Sequence, residues 1–175
     1  GLAYAPGDVL TMHSGLTVEV KNTDAEGRLL LADALSFAKR YDPELVIDLA
    51  TLTGAAVRAL GTEASASMGT APPAILQQLA DAGYAVHERL VEFPLWDEYA
   101  DHIKSDIADL SNLGKGEAGH ISAAKFLERF AVGYPWIHLD IAGPAYLTAA
   151  ESYRGKGGTG TGVRLLYEFL TKQLA

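Results

Sequence analysis

The chain has 175 residues, of which 49% are apolar and 21% are charged, and it contains no cysteine. That length suits one domain, residues 1–175, with a single hydrophobic core, and the composition excludes a disordered chain. Fourteen Lys and Arg against 22 Asp and Glu give a net charge of −8, which argues against nucleic-acid binding. The lack of cysteine excludes disulfides, thiolate metal sites and cysteine nucleophiles.

The predicted elements begin with two short strands, at residues 8–12 and 16–20, joined by a turn at Gly15. Apolar residues then recur at intervals of three and four, which predicts an amphipathic helix that ends before Pro43. The residues that form this stripe are Leu31, Ala34, Leu35 and Ala38.

Strands and helices alternate through the rest of the chain, apart from residues 92–119, where no regular pattern is evident. The predicted segments are strand 45–50, helix 54–60, strand 64–68, helix 72–91, helix 120–132, strand 136–141 and a closing helix from Val163. This alternation predicts an α/β fold, with a mixed, mostly parallel sheet flanked by helices. No apolar run approaches the roughly 20 residues that span a bilayer, so no membrane partner is expected.

Three charged residues, Asp24, Glu26 and Arg28, stand at alternate positions between the second strand and the first helix. In an extended backbone, alternate side chains point the same way, so Asp24 and Glu26 would present two carboxylates to one cation. Arg28 would add a planar cationic donor suited to an anion. The alternative is an acidic helix start, whose carboxylates only complement the helix dipole.

The string around these residues, NTDAEGRLLLADAL at 22–35, resembles the signature of the leucyl aminopeptidase family, the M17 cytosol aminopeptidases. Other segments resemble further blocks of that family in the same order, over nearly the whole chain: residues 5–10, 48–55, 105–110, 136–143 and 158–160. The resemblance implies that the chain is the C-terminal part of a larger aminopeptidase catalytic domain, without the domain's N-terminal segment.

The activity implied by the resemblance is that of a metallo-aminopeptidase that releases N-terminal residues, often Leu, from peptides with water activated by two divalent metal ions. Carried over by position, Glu26 would bridge the two ions and Asp24 would bind one of them. Arg28 would be catalytic, because it would hold a bicarbonate-like anion that helps to move a proton. The ions would be zinc, manganese or magnesium.

The resemblance also implies which residues contact the peptide substrate. Thr51, Leu52 and Gly54 would line the substrate site, mostly through backbone groups. Ala142 and Gly143 would border the pocket for the first side chain, where small residues leave room for an apolar group. The intact protein would be cytoplasmic and would form a homohexamer, with no nucleic-acid partner.

The family's other metal ligands, one Lys and two Asp, and its catalytic Lys precede the signature, near a Lys-Gly-Ile-Thr-Phe-Asp-like string that these 175 residues lack. The chain also begins with Gly rather than Met, so we interpret it as a fragment or processed product. The isolated chain is therefore expected to hydrolyse peptides poorly or not at all. The alternative function is a truncated or catalytically inactive subunit that acts in assembly or binding.

Two other patterns invite a functional interpretation and favour a structural one. The five histidines are scattered without a metal-binding spacing, and His138, in an apolar strand, is predicted to be a buried, hydrogen-bonded imidazole. The glycine-rich string at 155–161 lacks the spacing and final residues of a phosphate-binding loop, so we interpret it as a flexible turn.

Overall fold

The computed structural model describes residues 3–173. The strands are β1 (Val9–Thr11), β2 (Thr17–Glu19), β3 (Val46–Ala50), β4 (Ser65–Gly69), β5 (Leu90–Glu92), β6 (Leu110–Ser111), β7 (Trp136–Asp140), β8 (Tyr146–Leu147) and β9 (Gly157–Gly158). The α-helices are α1 (Glu26–Ala38), α2 (Gly54–Leu60), α3 (Pro73–Ala85), α4 (Gly119–Glu128) and α5 (Val163–Gln173). Short 3₁₀ helices occur at Thr23–Ala25, Lys39–Tyr41 and Asp97–Ile103.

The chain divides into two compact units. Unit 1 combines the chain up to Val46 with Pro94–Trp136, and unit 2 combines Ile47–Phe93 with the chain from Ile137 onward. Strands β3 and β7 therefore belong to unit 2 except for their first residues.

Unit 1 is built on a three-stranded sheet with the order β1–β2–β6. β2 is antiparallel to β1 and parallel to β6. Helix α1 packs against α4, whose residues 120–127 are all buried. The apolar core of the unit comes from the sheet and from both helices, as expected when amphipathic helices cover a sheet. Its buried residues include Val18, Val20, Leu29, Leu35, Leu110, Phe126 and Leu127.

Unit 2 is built on a four-stranded sheet with the order β3–β7–β4–β5. β4 runs antiparallel to β7 and parallel to β5. All five residues of β7 are buried, including the polar residues His138 and Asp140. Helix α3 packs against α5, and β8 pairs with β9 in a small antiparallel sheet.

The predicted α/β class with helices flanking mixed sheets is confirmed, although the strands form three sheets rather than one. The helix predicted over 72–91 ends earlier, at Ala85. After it, His87 adopts a left-handed conformation with φ of 57°, and the Glu88 amide donates to the Gly83 carbonyl at 2.9 Å. A Cβ at Gly83 would overlap with the Glu88 carbonyl oxygen, so glycine permits this tight turn into β5.

Three other segments also differ from the sequence-based predictions. Helix α4 ends at Glu128 rather than near residue 132. Strand β6 and a 3₁₀ helix occur in the region without a predicted pattern, and the glycine-rich string contributes β9. Within residues 3–173, none of the helices is both long and apolar enough to span a lipid bilayer.

The carboxylate of Glu88 holds the start of α5 in unit 2. Its side chain is 5% exposed and accepts hydrogen bonds from the Gly162 and Leu165 amides at 3.0 and 2.9 Å. Arg164 Nε donates to the other carboxylate oxygen at 3.1 Å. The first amides of a helix have no partner within the helix, so this carboxylate satisfies groups that would otherwise be buried without one.

We predict that Glu88→Ala lowers the free energy of unfolding by about 2–3 kcal/mol, because two amides at the start of α5 lose their acceptor. Urea denaturation measures the change. The control is Glu92→Ala on β5, where the side chain is exposed, and its effect should stay within about 0.5 kcal/mol. Equal losses in the two variants would contradict the capping role.

Candidate metal-binding and substrate-binding segments

Asp24 and Glu26 lie in unit 1, where the chain passes from β2 into α1. Asp24 is in the 3₁₀ helix Thr23–Ala25, and Glu26 is the first residue of α1. Asn22 precedes them in an extended conformation and caps the turn, because its side-chain oxygen accepts from the Asp24 amide at 2.9 Å. The expectation of an extended backbone at Asp24 and Glu26 was therefore wrong: both residues have entered helical geometry, in which residues two apart face different directions.

The two carboxylates are nevertheless exposed and close in sequence. Over residues 3–173, neither side chain forms an ion pair or a hydrogen bond. Carboxylate oxygens are the ligands that hard divalent cations prefer, so both groups suit a metal ion. In the same part of the chain, no three His, Asp or Glu side chains gather as a complete metal site. These two residues therefore fit as a part of a metal shell.

Arg28 lies in the first turn of α1 on its buried face and is 7% exposed. It points away from the solvent, whereas Glu26 is exposed, as expected for residues two apart on a helix. A surface ion pair is therefore not the role of this guanidinium.

An open groove of about 300 Å³ in unit 1 runs beside Glu26. Its walls are mostly apolar, and its lining residues include Tyr4, Leu10, Met12, Leu29 and Leu30. Glu26 thus places a carboxylate at the margin of an apolar surface.

Asn112 is a residue that the sequence did not single out, and it holds the backbone just before Asp24. It is fully buried at the end of β6. Its Oδ1 accepts from the Lys21 amide at 2.8 Å and the Asn22 amide at 3.3 Å, and its Nδ2 donates to the Asn22 carbonyl at 2.7 Å. Nδ2 also lies 3.5 Å from the Ala25 carbonyl oxygen, so the side-chain amide contacts the backbone before the turn and at its last residue.

Lys125 on α4 is a buried amine in unit 1, and a buried amine with a lowered pKa can act as a catalytic base. Its Nζ donates to the Leu95 carbonyl at 3.1 Å, and it forms ion pairs with Glu128 at 2.7 Å and Asp97 at 3.3 Å. Burial alone would lower the pKa of Lys125, but the hydrogen bonds and charges of Glu128 and Asp97 outweigh it and raise that pKa. Lys125 therefore stays protonated and links α4 to the segment around Asp97.

Thr51, Leu52 and Gly54 lie in unit 2, on the turn between β3 and α2. Thr51 and Gly54 are exposed, and Leu52 is half-buried. Thr53 caps α2, because its hydroxyl accepts from the Ala56 amide at 3.0 Å. The turn thus runs directly into a helix start, as the sequence predicted for residues 54–60.

Ala142 and Gly143 follow β7 in the same unit. Gly143 is buried, and a Cβ there would overlap with the carbonyl oxygen of Gly61. Glycine at this position therefore allows two backbone segments to approach each other, rather than leaving open space for a substrate side chain.

Asp140, the last residue of β7, is a second residue that the sequence did not single out. Its Oδ1 accepts from the Leu52 amide at 3.1 Å and from the Ala142 amide at 3.2 Å. The sequence did contain a signal for Asp140, because a fully buried Asp in an apolar strand nearly always has a specific partner.

In the same strand, His138 is 0% exposed and its Nδ1 lies 2.6 Å from Asp48 Oδ1, which confirms the prediction of a buried, hydrogen-bonded imidazole.

Comparison with known proteins assigns the chain to a family. A family model described as the cytosol aminopeptidase family, catalytic domain, matches residues 1–167. A probable cytosol aminopeptidase of Geobacter sulfurreducens is 54% identical over 170 residues, which cover 97% of this chain and 34% of that protein. One from Shewanella loihica is 53% identical over 168 residues, which cover 96% and 32%.

A solved structure is also similar to the chain. It is that of the bottromycin maturation enzyme BotP in complex with Mn, with a TM-score of 0.94 and 39% identity over 100% of this chain and 39% of that one. The chain spans about a third of the length of the curated relatives it matches. The sequence and structural matches together show that the chain belongs to the cytosol aminopeptidase family, within its catalytic domain.

Proposed function

We propose that this chain is part of a metal-dependent aminopeptidase, a hydrolase that releases N-terminal residues of the Leu type from peptides. The observation that carries the proposal is the pair of exposed, unpartnered carboxylates, Asp24 and Glu26, inside the segment that resembles the family signature. The family model spans both units, so we also propose that both belong to one catalytic domain.

The proposed roles of the carboxylates are those that the family resemblance implies. Glu26 would hold two divalent ions, which are zinc, manganese or magnesium, and Asp24 would hold one of them. The similar solved enzyme is a complex with Mn, which supports a divalent ion. Such ions, when bound, supply Lewis-acid chemistry and activate water. The rest of the shell would come from residues other than Asp24 and Glu26.

Arg28 would serve the same site as a fixed cation. Its burial at the base of α1 restricts the guanidinium, and a planar donor fork suits a bicarbonate-like anion. Arg28 would hold this anion, which, when bound, would supply general acid–base chemistry.

Substrate contacts would come from Thr51, Leu52 and Gly54 in one segment and from Ala142 and Gly143 in another. Their backbone groups lie outside sheets and helices, apart from Gly54, which begins α2. We further propose a cytoplasmic homohexamer, as the names of the relatives and the family resemblance suggest.

The main test is peptide hydrolysis by the protein as its gene encodes it. We expect cleavage of Leu-p-nitroanilide, loss of that activity after chelation, and recovery on addition of Mn²⁺, because the proposed chemistry depends on divalent ions. Metal analysis by mass spectrometry gives the occupancy at each step. A metal-loaded protein that cleaves no peptide substrate would instead support the inactive subunit that acts in assembly or binding.

Variants of Glu26 and Arg28 separate metal binding from proton transfer. Glu26→Gln should weaken metal binding and kcat together, because one carboxylate would hold both ions. Arg28→Met, which keeps the apolar stem, should leave the metal content near normal and lower kcat about 10²–10⁴-fold. Arg28→Lys should recover only part of the rate, because it keeps the charge but loses the fork.

The control for these variants is Glu44→Gln. Glu44 is an exposed acid in unit 1 away from the signature, so this change should leave metal content and kcat unchanged. The anion-holding role of Arg28 fails if Arg28→Met loses as much metal as Glu26→Gln, or if its kcat is that of the wild type.

Asn112 should control metal affinity through the turn that it holds. Asn112→Leu keeps the branched shape of the side chain but removes the hydrogen bonds to Lys21 and Asn22, and metal affinity should fall about 10–100-fold, as for other groups that orient metal ligands. Titration calorimetry with Mn²⁺ measures the affinity. The control is Ser111→Ala, whose buried hydroxyl bonds to Leu113 instead, and it should change stability without changing metal affinity.

A further inference from the structure

We propose that Asp140 is a positioning residue for the peptide site, because its carboxylate holds the turn Thr51–Gly54 and the Ala142–Gly143 segment in one arrangement. This inference rests on the proposed function, since it assigns the geometry of the substrate site to a residue outside it.

The position of Asp140 in the sheet makes its carboxylate costly unless it is fully hydrogen-bonded. Asp140 is 1% exposed, ends the wholly buried strand β7, and lies opposite Ala66 of β4. A carboxylate transferred from water to such surroundings is destabilising without several donors. Those donors come from two turns of unit 2.

The hydrogen bonds of Asp140 divide between its two oxygens. Oδ1 accepts from the amides of Leu52, Thr53 and Ala142 at 3.1, 3.4 and 3.2 Å. Oδ2 accepts from the Thr53 hydroxyl at 2.7 Å. Hydrogen bonds to a carboxylate are stronger than those between neutral groups, so one side chain fixes backbone groups of both proposed substrate-binding segments.

Thr53 extends this network into helix α2. Its hydroxyl donates its single proton to Asp140 and accepts from the Ala56 amide, so both of its bonding directions are specified. Gly54, the first residue of α2, is therefore fixed relative to β7 through Asp140 and Thr53.

Regular secondary structure does not hold these turns by itself. Residues 51–53 lie outside sheets and helices, and Ala142 follows the end of β7. A backbone bond from the Ile141 amide to the Ala50 carbonyl, 2.9 Å long, aligns the strand ends just before the turns diverge. Beyond that point the carboxylate of Asp140 is the group shared by both segments. The amides of Leu52 and Ala142 are thereby occupied within the protein.

A change of KM without a matching change of kcat separates positioning from general stability. If the turns shift, the peptide binds less well, so KM rises; if the variant only unfolds more readily, the active fraction and the apparent kcat fall while KM stays constant. The test variants are Asp140→Asn, which keeps the shape, and Thr53→Val, which removes one hydroxyl and leaves every backbone bond to Asp140 in place.

The matched control is Glu88→Gln. Glu88 is also a buried carboxylate of unit 2 that accepts from two backbone amides and one side chain, but its partners lie at the start of α5. Thr53→Ser is the conservative variant, because it retains the hydroxyl. All four are made in the metal-loaded protein as its gene encodes it, with Leu-p-nitroanilide and a leucyl dipeptide as substrates.

For Asp140→Asn we expect KM to rise about 10–100-fold, and for Thr53→Val, which keeps the amide bonds to Asp140, we expect a smaller rise of about 3–10-fold. In both variants kcat should change less than about threefold, with metal content unchanged. Thr53→Ser should return KM close to the wild-type value, and Glu88→Gln should lower the melting temperature without changing KM. The proposal is overturned if KM of both test variants stays within about twofold of the wild type, whatever their stability. A metal-loaded wild type that cleaves neither substrate would overturn the proposed function itself, a result separate from an unchanged KM.

Discussion

In both units, the turns depend on one kind of interaction: their backbone amides donate hydrogen bonds to buried side-chain oxygens from distant parts of the chain. A turn leaves backbone amides without strand or helix partners, and each such amide costs about 1–3 kcal/mol if it is buried unsatisfied. Asn112 supplies the acceptor in unit 1, and Asp140 and Glu88 supply it in unit 2. The three residues therefore set the path of the chain where regular secondary structure stops.

The carboxylates at the start of α1 differ from these buried oxygens, because they are exposed and form no ion pair or hydrogen bond within residues 3–173. Asp24 and Glu26 gain little from the fold, because no cationic side chain in residues 3–173 neutralises them. The positive end of the α1 dipole offsets part of their repulsion, and water solvates the remainder. Their charges therefore remain available to a cation, while the backbone beneath them is held rigidly by a neutral amide.

The elements that depend on local periodicity were predictable from the sequence, and those that depend on tertiary contacts were not. Helices α1 and α5 and strands β3 and β7 were located correctly. The buried apolar residues of α1 are Leu29, Ala32 and Leu35, however, and Ala34 of the predicted stripe is exposed. The end of α3 was missed because it depends on tertiary contacts: the left-handed turn at His87 is followed by Glu88, whose carboxylate bonds to the start of α5. Strand β9 was missed because two glycines carry no strand signal of their own.

In the candidate site, too, some residues were predictable from the sequence and others depend on tertiary contacts. The signature segment pointed to Asp24, Glu26 and Arg28, but the assumption of an extended backbone failed because Asn22 caps a helical turn there. Asn112 gave no sequence signal at all, since its role depends on a turn about 90 residues earlier in the chain. Asp140 did give a sequence signal, because it is an acid in an apolar strand. Its role became clear only from its hydrogen-bond partners in the structure.

The close approach of Gly143 to Gly61 has a consequence for protein engineering. Libraries that aim to change substrate preference usually randomise small residues near a pocket, and Gly143 would be an obvious choice. Any side chain there would push against the backbone of Gly61, which itself has a left-handed φ of 63°. Most members of such a library would therefore lose folded protein rather than gain selectivity. Ala142, which already carries a Cβ and is half-buried, is the neighbouring position where variation remains open to selection.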